Sequence, residues 1–359
     1  MAPVVRLLRQ TPEVETRTCA TAQHRQMLDQ ALELFGIQPE YDLDLMRDDQ
    51  SMAQISAGVF SRLDPVLEEF KPDWVLAVGD TTTVVTTSLL AFYRRIKFGH
   101  IEAGLRTHDK WHPFPEEINR RIATVTADLH FAPTEWSKGN LLREGVPADR
   151  IHVTGNTVID ALLWVVRYLE EHPEKQALIA KRFAFLGNQK RLILITGHRR
   201  ENFGQGFEQI CRAIQRLATR PDVELVYPVH LNPNVRKPVF RLLGALPNVH
   251  LIDPLDYLPF VYLIGRSYLL LTDSGGIQEE APALGKPVLV MRDETERPEA
   301  LEAGTAKLVG TDDVMIVDEV TRLLDDPKTY EQMSSANNPY GDGRASERII
   351  KEIFRRHGV

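Results

Sequence analysis

Short apolar runs alternate with amphipathic stretches along most of the chain. The runs have the length of buried strands, and the stretches between them repeat apolar residues every three or four positions, as helices do. Predicted strands fall at 73–79, 97–103, 129–132, 151–154, 191–196, 223–229, 249–252, 268–272 and 287–291. A rougher alternation predicts one more strand at 13–20, and terminal helices are predicted at 314–324 and 346–357.

The order of these elements predicts an α/β fold. Strands that alternate with helices form parallel sheets covered by helices on both faces. Two such runs divide near Asn156, which predicts two Rossmann-like domains, at 1–156 and 157–345. Ligands of such sheets bind beyond the carboxyl ends of the strands, so we expect the ligand cleft to lie between the two domains.

Composition narrows the class of protein. Of the 359 residues, 43% are hydrophobic and 26% are charged, as in soluble globular proteins, and the net charge of −7 argues against a general nucleic-acid binder. No apolar run is long enough to span a bilayer, and Arg6 and Arg9 interrupt the apolar N-terminus. We therefore expect no membrane partner, no signal peptide and a cytoplasmic location. The two cysteines, Cys19 and Cys211, lack the spacing of a metal site.

A glycine turn between predicted strand 268–272 and the helix after it is the first candidate site. Two adjacent glycines, Gly275 and Gly276, would let backbone N–H groups approach an anion at a helix start, and Ser274 adds a hydroxyl. Glu279 and Glu280 follow, where a carboxylate could bind ribose hydroxyls. The turn alone is equally compatible with an ordinary strand-to-helix connection followed by a solvated glutamate pair.

Four titratable residues lie at predicted strand ends or just beyond them: Asp80, Glu102, Glu116 and His198. Each has an ordinary structural explanation. Asp80 could cap a helix, Glu102 could form a surface salt bridge, and Glu116 could favour a first helical turn. His198 could be a solvated loop residue. Their common position at carboxyl ends of strands, where one cleft can collect them, favours a catalytic site.

The motifs together resemble one known family, the non-hydrolysing UDP-N-acetylglucosamine 2-epimerases. The strings that carry the resemblance are GDTTT, GHIEAGLRT, PFPEEINR, TGHRREN, DSGGIQEE, GKPVLVMRD and TERPEA. Members interconvert UDP-N-acetylglucosamine and UDP-N-acetylmannosamine for polysaccharide biosynthesis. The resemblance implies the GT-B fold, a last helix at about 346–359 that returns to the first domain, a homodimer, and no cofactor or metal.

The resemblance also implies a role for each matching residue. The implied catalytic residues are Asp80, Glu102, Glu116 and His198. The three carboxylates would be acids and bases, and the histidine would lie against the diphosphate or assist the leaving group. The implied UDP-binding residues are Ser274, Gly275, Gly276, Glu280, Arg297 and Phe260. Residues that match a second, allosteric nucleotide-sugar site of bacterial members are Gln23, His24, Gln26 and His230.

Chemistry explains why this reaction needs carboxylates. The C2 proton of an N-acetylhexosamine is not adjacent to a carbonyl carbon, and the chain has no convincing dinucleotide fingerprint for an oxidative route. Expulsion of UDP from C1 makes the C2 proton acidic, a base removes it, and 2-acetamidoglucal forms. UDP then adds back while a proton arrives on the opposite face. This scheme needs a base, an acid and firm retention of UDP.

Three other functions remain open at this point. A hydrolysing relative would release UDP and free N-acetylmannosamine, and a GT-B glycosyltransferase would require an acceptor for turnover. An inactive nucleotide-sugar-binding protein would bind without turnover. The joint presence of the four predicted catalytic residues argues against the inactive protein.

The chain departs from the family pattern at its beginning. Met1-Ala2-Pro3 matches the residues that follow the family's opening strand and its G-T-R-P-E-A-I-K turn, which supplies an Arg and a Lys to the substrate. The resemblance therefore implies that the sequence as written lacks the first strand of domain one. Because neighbouring strands would lose a partner, we expect impaired stability and activity.

Overall fold

The computed structural model describes residues 1–21, 25–45, 47, 49–187 and 189–357. Its strands are β1 (Cys19–Ala20), β2 (Tyr41–Asp42), β3 (Trp74–Val78), β4 (Lys97–Ile101), β5 (Leu129–Ala132), β6 (Ile151–Val153), β7 (Arg191–Thr196), β8 (Val223–Pro228), β9 (Val249–Ile252), β10 (Leu269–Thr272), β11 (Val288–Val290) and β12 (Ala306–Leu308).

The helices occupy most of the segments between the strands. They are α1 (Ala2–Arg9), α2 (Arg25–Phe35), α3 (Met52–Phe70), α4 (Thr82–Tyr93), α5 (Glu116–Thr126), α6 (Glu135–Arg143), α7 (Thr157–Glu171), α8 (Pro173–Arg182), α9 (Gln205–Leu217), α10 (Pro233–Leu243), α11 (Tyr257–Arg266), α12 (Gly275–Ala283), α13 (Pro298–Glu302), α14 (Asp313–Asp325), α15 (Pro327–Ser334) and α16 (Ala345–His357). Short 3-10 turns lie at Ala148–Arg150 and Arg200–Asn202.

The chain forms two compact units. Unit 1 comprises Met1–Ala161 and Tyr340–Val359, and unit 2 comprises Leu162–Pro339. The division falls inside α7, whereas the division predicted from the sequence, at Asn156, lies just before that helix.

Unit 1 contains two parallel sheets. Strands β3, β4, β5 and β6 pair in that order, and β1 pairs with β2. The C-terminal helix α16 packs against this unit, where Val4 of α1, Phe131 of β5 and Ile349 of α16 share one apolar cluster. Asp160 accepts the backbone N–H of Ser346 at 2.7 Å, which satisfies a free amide at the start of α16.

Unit 2 contains one parallel sheet of six strands in the order β12-β11-β10-β7-β8-β9. The central strands β7 and β10 are buried, as their continuous apolar runs predict, and helices cover the sheet. On α9, Phe207, Ile210, Ile214 and Leu217 are buried at helical spacing against the strands. Two α/β units with parallel sheets confirm the fold class predicted from the alternation of elements.

One predicted strand differs from the structure. The predicted strand at 13–20 is wrong for most of its length, because only Cys19–Ala20 pairs with another strand. Arg17 explains part of this, since its guanidinium binds Glu15 and Tyr41 through side-chain contacts rather than a backbone ladder. None of the described helices is both long enough and apolar enough to cross a membrane.

Candidate active site

Unit 2 has a topological switch point between β7 and β10. From there β8 and β9 lie on one side of the sheet, and β11 and β12 lie on the other. Open α/β sheets bind ligands at such a point, beyond the carboxyl ends of the strands. The segment after β7 carries His198, and the segment after β10 carries Asp273 through Gly276. The sheet topology therefore brings these two predicted motifs together.

Asp273 connects the two segments. Its side chain is fully buried, and its Oδ2 accepts the backbone N–H groups of His198 and Arg199, each at 2.8 Å. Its Oδ1 lies 3.2 Å from His198 Nδ1, while 44% of the His198 side chain is exposed. Burial favours the neutral acid, yet these contacts hold the pKa of Asp273 below its usual value. Asp273 therefore orients the His198 ring and leaves the other side of the ring accessible.

The glycine pair begins helix α12, as predicted. Ser274 is the N-cap residue, and its hydroxyl caps no amide of the described chain. A Cβ on Gly275 would lie only 2.5 Å from Arg297 Nη1, so the approach of this guanidinium requires glycine. Helix N-termini attract anions because the first-turn amides have no intrahelical acceptor. Arg297 adds a full positive charge at the same place.

Glutamates balance the arginines around the start of α12. Arg297 Nε lies 2.6 Å from Glu279 Oε1, and its Nη1 lies 2.9 Å from Glu296 Oε1. Glu296 also pairs with Arg292 at 2.8 Å and with Arg199 at 3.2 Å. Burial opposes the charge of Glu296, but Arg297 and Arg292 lower its pKa to about 2. Three guanidinium groups therefore share one carboxylate that stays ionised.

Glu280 has the opposite electrostatic environment. Burial raises the pKa of Glu280 to about 7, the nearby charge of Glu279 adds to this, and a hydrogen bond from Tyr257 opposes it. Tyr257 donates its hydroxyl to Glu280 Oε1 at 2.5 Å. Phe260 lies one turn further along α11 and is half-buried. The predicted ribose residue, Glu280, therefore contacts helix α11, and the predicted uracil residue, Phe260, belongs to that helix.

Asp80 follows β3 in unit 1 and is held by α5. Thr81, rather than Asp80, is the N-cap of α4, so the capping explanation for Asp80 is wrong. Arg120 donates to Asp80 Oδ2 from Nε at 2.9 Å and lies 2.7 Å from it with Nη2. Asn119 Nδ2 donates to the Asp80 carbonyl at 2.8 Å. The preceding Gly79 has φ +86°, a conformation that favours glycine.

Glu102 directly follows β4 and has a strained backbone conformation. Its φ is +64°, which is uncommon for a residue with a side chain. A Cβ on Gly79 would lie 3.9 Å from Glu102 Oε2, which places this carboxylate next to the Asp80 turn. The buried Arg106 forms a separate salt bridge with Glu144, at 2.7 Å, and the Glu144 side chain is partly exposed.

Glu116 and Glu117 begin α5 but have different surroundings. Glu117 is fully buried and accepts the backbone N–H of Thr107 at 3.0 Å, so it anchors the preceding loop. Glu116 is half-buried, and its Oε2 has no hydrogen-bond partner among the described residues. Asn119 and Arg120 are three and four residues further on, so Glu116 shares the helix face that contacts Asp80. The three predicted carboxylates therefore converge at the carboxyl end of the unit 1 sheet.

The four residues predicted for a second nucleotide-sugar site differ in how much the structure describes of them. Gln23 and His24 lie outside the described residues, and Gln26 lies in α2. His230 follows β8, and its ring centroid lies 5.7 Å from that of His198. Burial and the neighbouring His198 lower the pKa of His230. The structure therefore places His230 at the same strand ends as the predicted catalytic histidine.

Sequence reasoning missed four residues that organise these sites: Arg120, Tyr257, Asp273 and Glu296. Arg120 carried a usable signal, because it lies one helical turn after Glu116. Asp273 begins the DSGG string itself. Glu296 lies in the TERPEA string, next to Arg297. Tyr257 carried no signal, since its partner depends on tertiary packing. Among the described residues, no group of three or more His, Cys, Asp or Glu could hold a metal ion.

Comparison with known proteins identifies the family. A family model described as UDP-N-acetylglucosamine 2-epimerase matches residues 6–354. The chain belongs to the UDP-N-acetylglucosamine 2-epimerase family. The predicted membership of an isomerase family of the bacterial, non-hydrolysing type is thereby confirmed.

Several members of this family are similar over nearly the whole chain. The UDP-N-acetylglucosamine 2-epimerase of Yersinia pestis is 60% identical, over 98% of this chain and 94% of the relative. That of Escherichia coli K12 is 57% identical over the same shares. The crystal structure of the Neisseria meningitidis enzyme bound to UDP-GlcNAc has a TM-score of 0.93 and 52% identity, and the match covers 99% of this chain and 96% of the other. The fold is of the GT-B type that these epimerases share.

Proposed function

We propose that this chain epimerises UDP-N-acetylglucosamine at C2, by elimination of UDP and re-addition with inversion. The observation that carries the proposal is the convergence of Asp80, Glu102 and Glu116 at one sheet edge, with Arg120 bound to the first of them. Its relatives support the substrate, since the Neisseria enzyme was crystallised with UDP-GlcNAc.

The nucleotide is assigned to unit 2. The amides at the start of α12 and the Arg297 guanidinium favour the diphosphate, beside the hydroxyl of Ser274. Glu280 is assigned to the ribose hydroxyls and Phe260 to the uracil side. His198, which Asp273 orients, is assigned to the diphosphate, where it would stabilise the leaving group.

The acid and base are assigned to unit 1. In the elimination, the bond between C1 and the phosphate oxygen breaks and its electrons leave with UDP. A carboxylate takes the C2 proton, and those electrons form the C1–C2 double bond of 2-acetamidoglucal. In the return step UDP attacks C1 and a second acid delivers a proton to the other face of C2. Glu116 suits a proton carrier because its Oε2 has no partner among the described residues.

Proton NMR of UDP-N-acetylglucosamine with this chain in D2O tests the proposal. Loss of the C2 proton signal together with new UDP-N-acetylmannosamine signals is the expected result. Free N-acetylmannosamine with UDP would favour a hydrolysing enzyme instead. Binding of UDP without any turnover would favour an inactive nucleotide-sugar-binding protein, and turnover only with an acceptor sugar would favour a glycosyltransferase.

A homodimer is part of the proposal and is supported by an apolar stripe on α5. Ile118, Ile122 and Val125 follow helical spacing and stay exposed, Val125 by 87%. Apolar stripes of this kind mark protein interfaces. Ile122→Glu should therefore halve the mass measured by light scattering. The matched control Val314→Glu, on an exposed residue of unit 2, should leave the mass unchanged. A monomeric wild type would refute the dimer.

Allosteric activation by the substrate is a further part of the proposal. Of its four residues, only His230 has a described side-chain environment, and that environment includes His198. A second site there would therefore affect the same histidine that we assign to the diphosphate.

A further inference from the structure

His100 is a buried histidine in unit 1 that the proposed reaction does not use. It lies in β4, a strand that is buried from Phe98 onward, and its side chain is fully inaccessible. A buried imidazole is costly unless its polar atoms find partners. His100 Nε2 lies 2.7 Å from the carbonyl oxygen of Gly79, the residue immediately before Asp80.

This contact replaces a bond of the sheet ladder. Strand β4 pairs with β3 through Ile101, whose carbonyl accepts the Gly79 N–H at 3.0 Å. Beyond Ile101 the chain turns at Glu102, with φ +64°, and the Ala103 N–H donates to Phe131 on β5 instead. The β4 backbone thus turns away from β3, and the His100 ring supplies the donor to the Gly79 carbonyl.

The contact also fixes the protonation of the ring. A carbonyl oxygen only accepts, so Nε2 carries the proton and Nδ1 carries the lone pair. Among the described residues Nδ1 has no hydrogen-bond partner. Burial lowers the pKa of His100 to about 4, and the charges of Arg106 and Arg120 lower it as well, against the Gly79 bond. The ring is therefore a neutral donor at neutral pH, and it adds no charge beside the carboxylates.

We infer that His100 is a positioning residue for Asp80: its Nε2–H holds the Gly79 peptide, and with it the turn that aims the Asp80 carboxylate. This inference rests on the proposed function, because it gives His100 a purpose only if Asp80 moves a proton. The turn is held on three sides. Arg120 binds the Asp80 side chain, Asn119 binds its carbonyl, and β4 binds the peptide before it.

His130 provides a matched control. It lies opposite His100 on the neighbouring strand β5, and 1% of its surface is exposed. Burial and the His100 ring lower its pKa to about 3, so it too is neutral. Because β5 is on the far side of β4 from β3, His130 is one strand further from Gly79. The two histidines thus share burial and charge state but differ in their relation to Asp80.

Three variants test the inference in the full chain. His100→Leu removes the donor and should lower kcat about 10- to 100-fold, with little change in KM or in the Kd for UDP. His100→Gln keeps an N–H at a similar reach and should restore most of kcat. His130→Leu should lower the melting temperature to a similar extent as His100→Leu and leave kcat near that of wild type. Equal losses of kcat in His100→Leu and His130→Leu, or no recovery in His100→Gln, would overturn the inference.

A second measurement does not depend on activity. The ¹⁵N NMR spectrum of the histidine rings in the wild type should show His100 neutral, with the proton on Nε2, at pH 7 and still at pH 5.5. A proton on Nδ1, or a charged ring, would overturn the inference even if His100→Leu fails to fold. Absence of epimerisation by the wild type would refute the proposed function. The spectrum would still test separately whether the His100 proton is on Nε2.

Discussion

The carboxylate site of unit 1 and the arginine site of unit 2 carry charged groups of opposite sign at their centres. In unit 1, three acidic side chains converge and one described guanidinium, that of Arg120, binds Asp80. In unit 2, Arg199, Arg292 and Arg297 converge on the single carboxylate of Glu296. The first site has more carboxylates than guanidinium groups bound to them. In the second, glutamates balance the arginines, because Arg292 also pairs with Glu201 and Arg297 with Glu279.

The backbone around the two sites differs in the same way. In unit 1 the carboxylates are attached to turns that are fixed by the sheet, such as the Gly79 turn and the strained Glu102. In unit 2 the charged side chains are fixed mainly by one another. Proton transfer requires reacting atoms within hydrogen-bond reach, which a rigid backbone supplies. Anion binding tolerates exchange of partners, because an arginine released by a glutamate can pair with a phosphate.

Of the substitutions that test this comparison, Asp80→Asn should have the largest effect, and that effect should be on the reaction rate. Because the amide cannot take a proton, epimerisation and C2 exchange in D2O should fall by about 10³-fold, within the range typical of general acid–base catalysis. The Kd for UDP, measured by calorimetry, should change less than about threefold, since the nucleotide is assigned to unit 2. Asp64→Asn, a partly exposed aspartate of unit 1 that pairs with Arg94, serves as the control. If Asp80→Asn exchanges the C2 proton as fast as the wild type does, Asp80 takes no part in the proton transfer.

Glu296→Gln should change binding rather than chemistry. The substitution removes the carboxylate that competes with a diphosphate for three arginines, and one nearby charge in a partly buried site is worth on the order of 1 kcal/mol. We therefore expect UDP to bind about fivefold more tightly, by calorimetry. The exposed Glu294 offers the control Glu294→Gln. Weaker binding by Glu296→Gln would show that this glutamate orients the arginines for the ligand instead of competing with it.

Tyr257→Phe should have the smallest effect, a shift in the pH at which UDP affinity is lost. The Tyr257 hydroxyl lowers the pKa of Glu280, so its loss should raise that pKa above about 7. If ionised Glu280 binds the ribose, UDP affinity is full above this pKa and is lost as pH falls through it. The midpoint of that loss should move up by about 0.5–1 pH unit, as expected for one hydrogen bond. Tyr262, which is also in α11 but stacks on Phe183, offers the control Tyr262→Phe, and this variant should leave the midpoint unchanged. An unchanged midpoint in Tyr257→Phe would exclude Glu280 as the titrating group.

The sequence was most informative where a residue's role follows from its position on an element. Apolar runs predicted the four strands β3 to β6 of unit 1 and five of the six strands of the unit 2 sheet, all but β12. Strand ends predicted the convergence of Asp80 and Glu102, because parallel strands end at one edge. The strand predicted at 13–20 failed because alternation over a short polar segment does not ensure a partner strand. Tyr257 could not be predicted, since its importance arises from a contact with Glu280 that only packing creates. The difference between Glu116 and its buried neighbour Glu117 likewise depends on the loop that covers one of them.

The buried Glu280 makes folding exchange protons with the solvent. Its carboxyl titrates near 4.5 when unperturbed and near 7 in the fold, so between these values the folded chain holds more proton than the unfolded chain. Stability contributed by this group therefore falls as pH rises through that window. If the ribose selects the ionised carboxylate, nucleotide binding below pH 7 must expel this proton. Nucleotide binding would then release protons to the solvent, and local acidification would lower the affinity of the protein for the nucleotide.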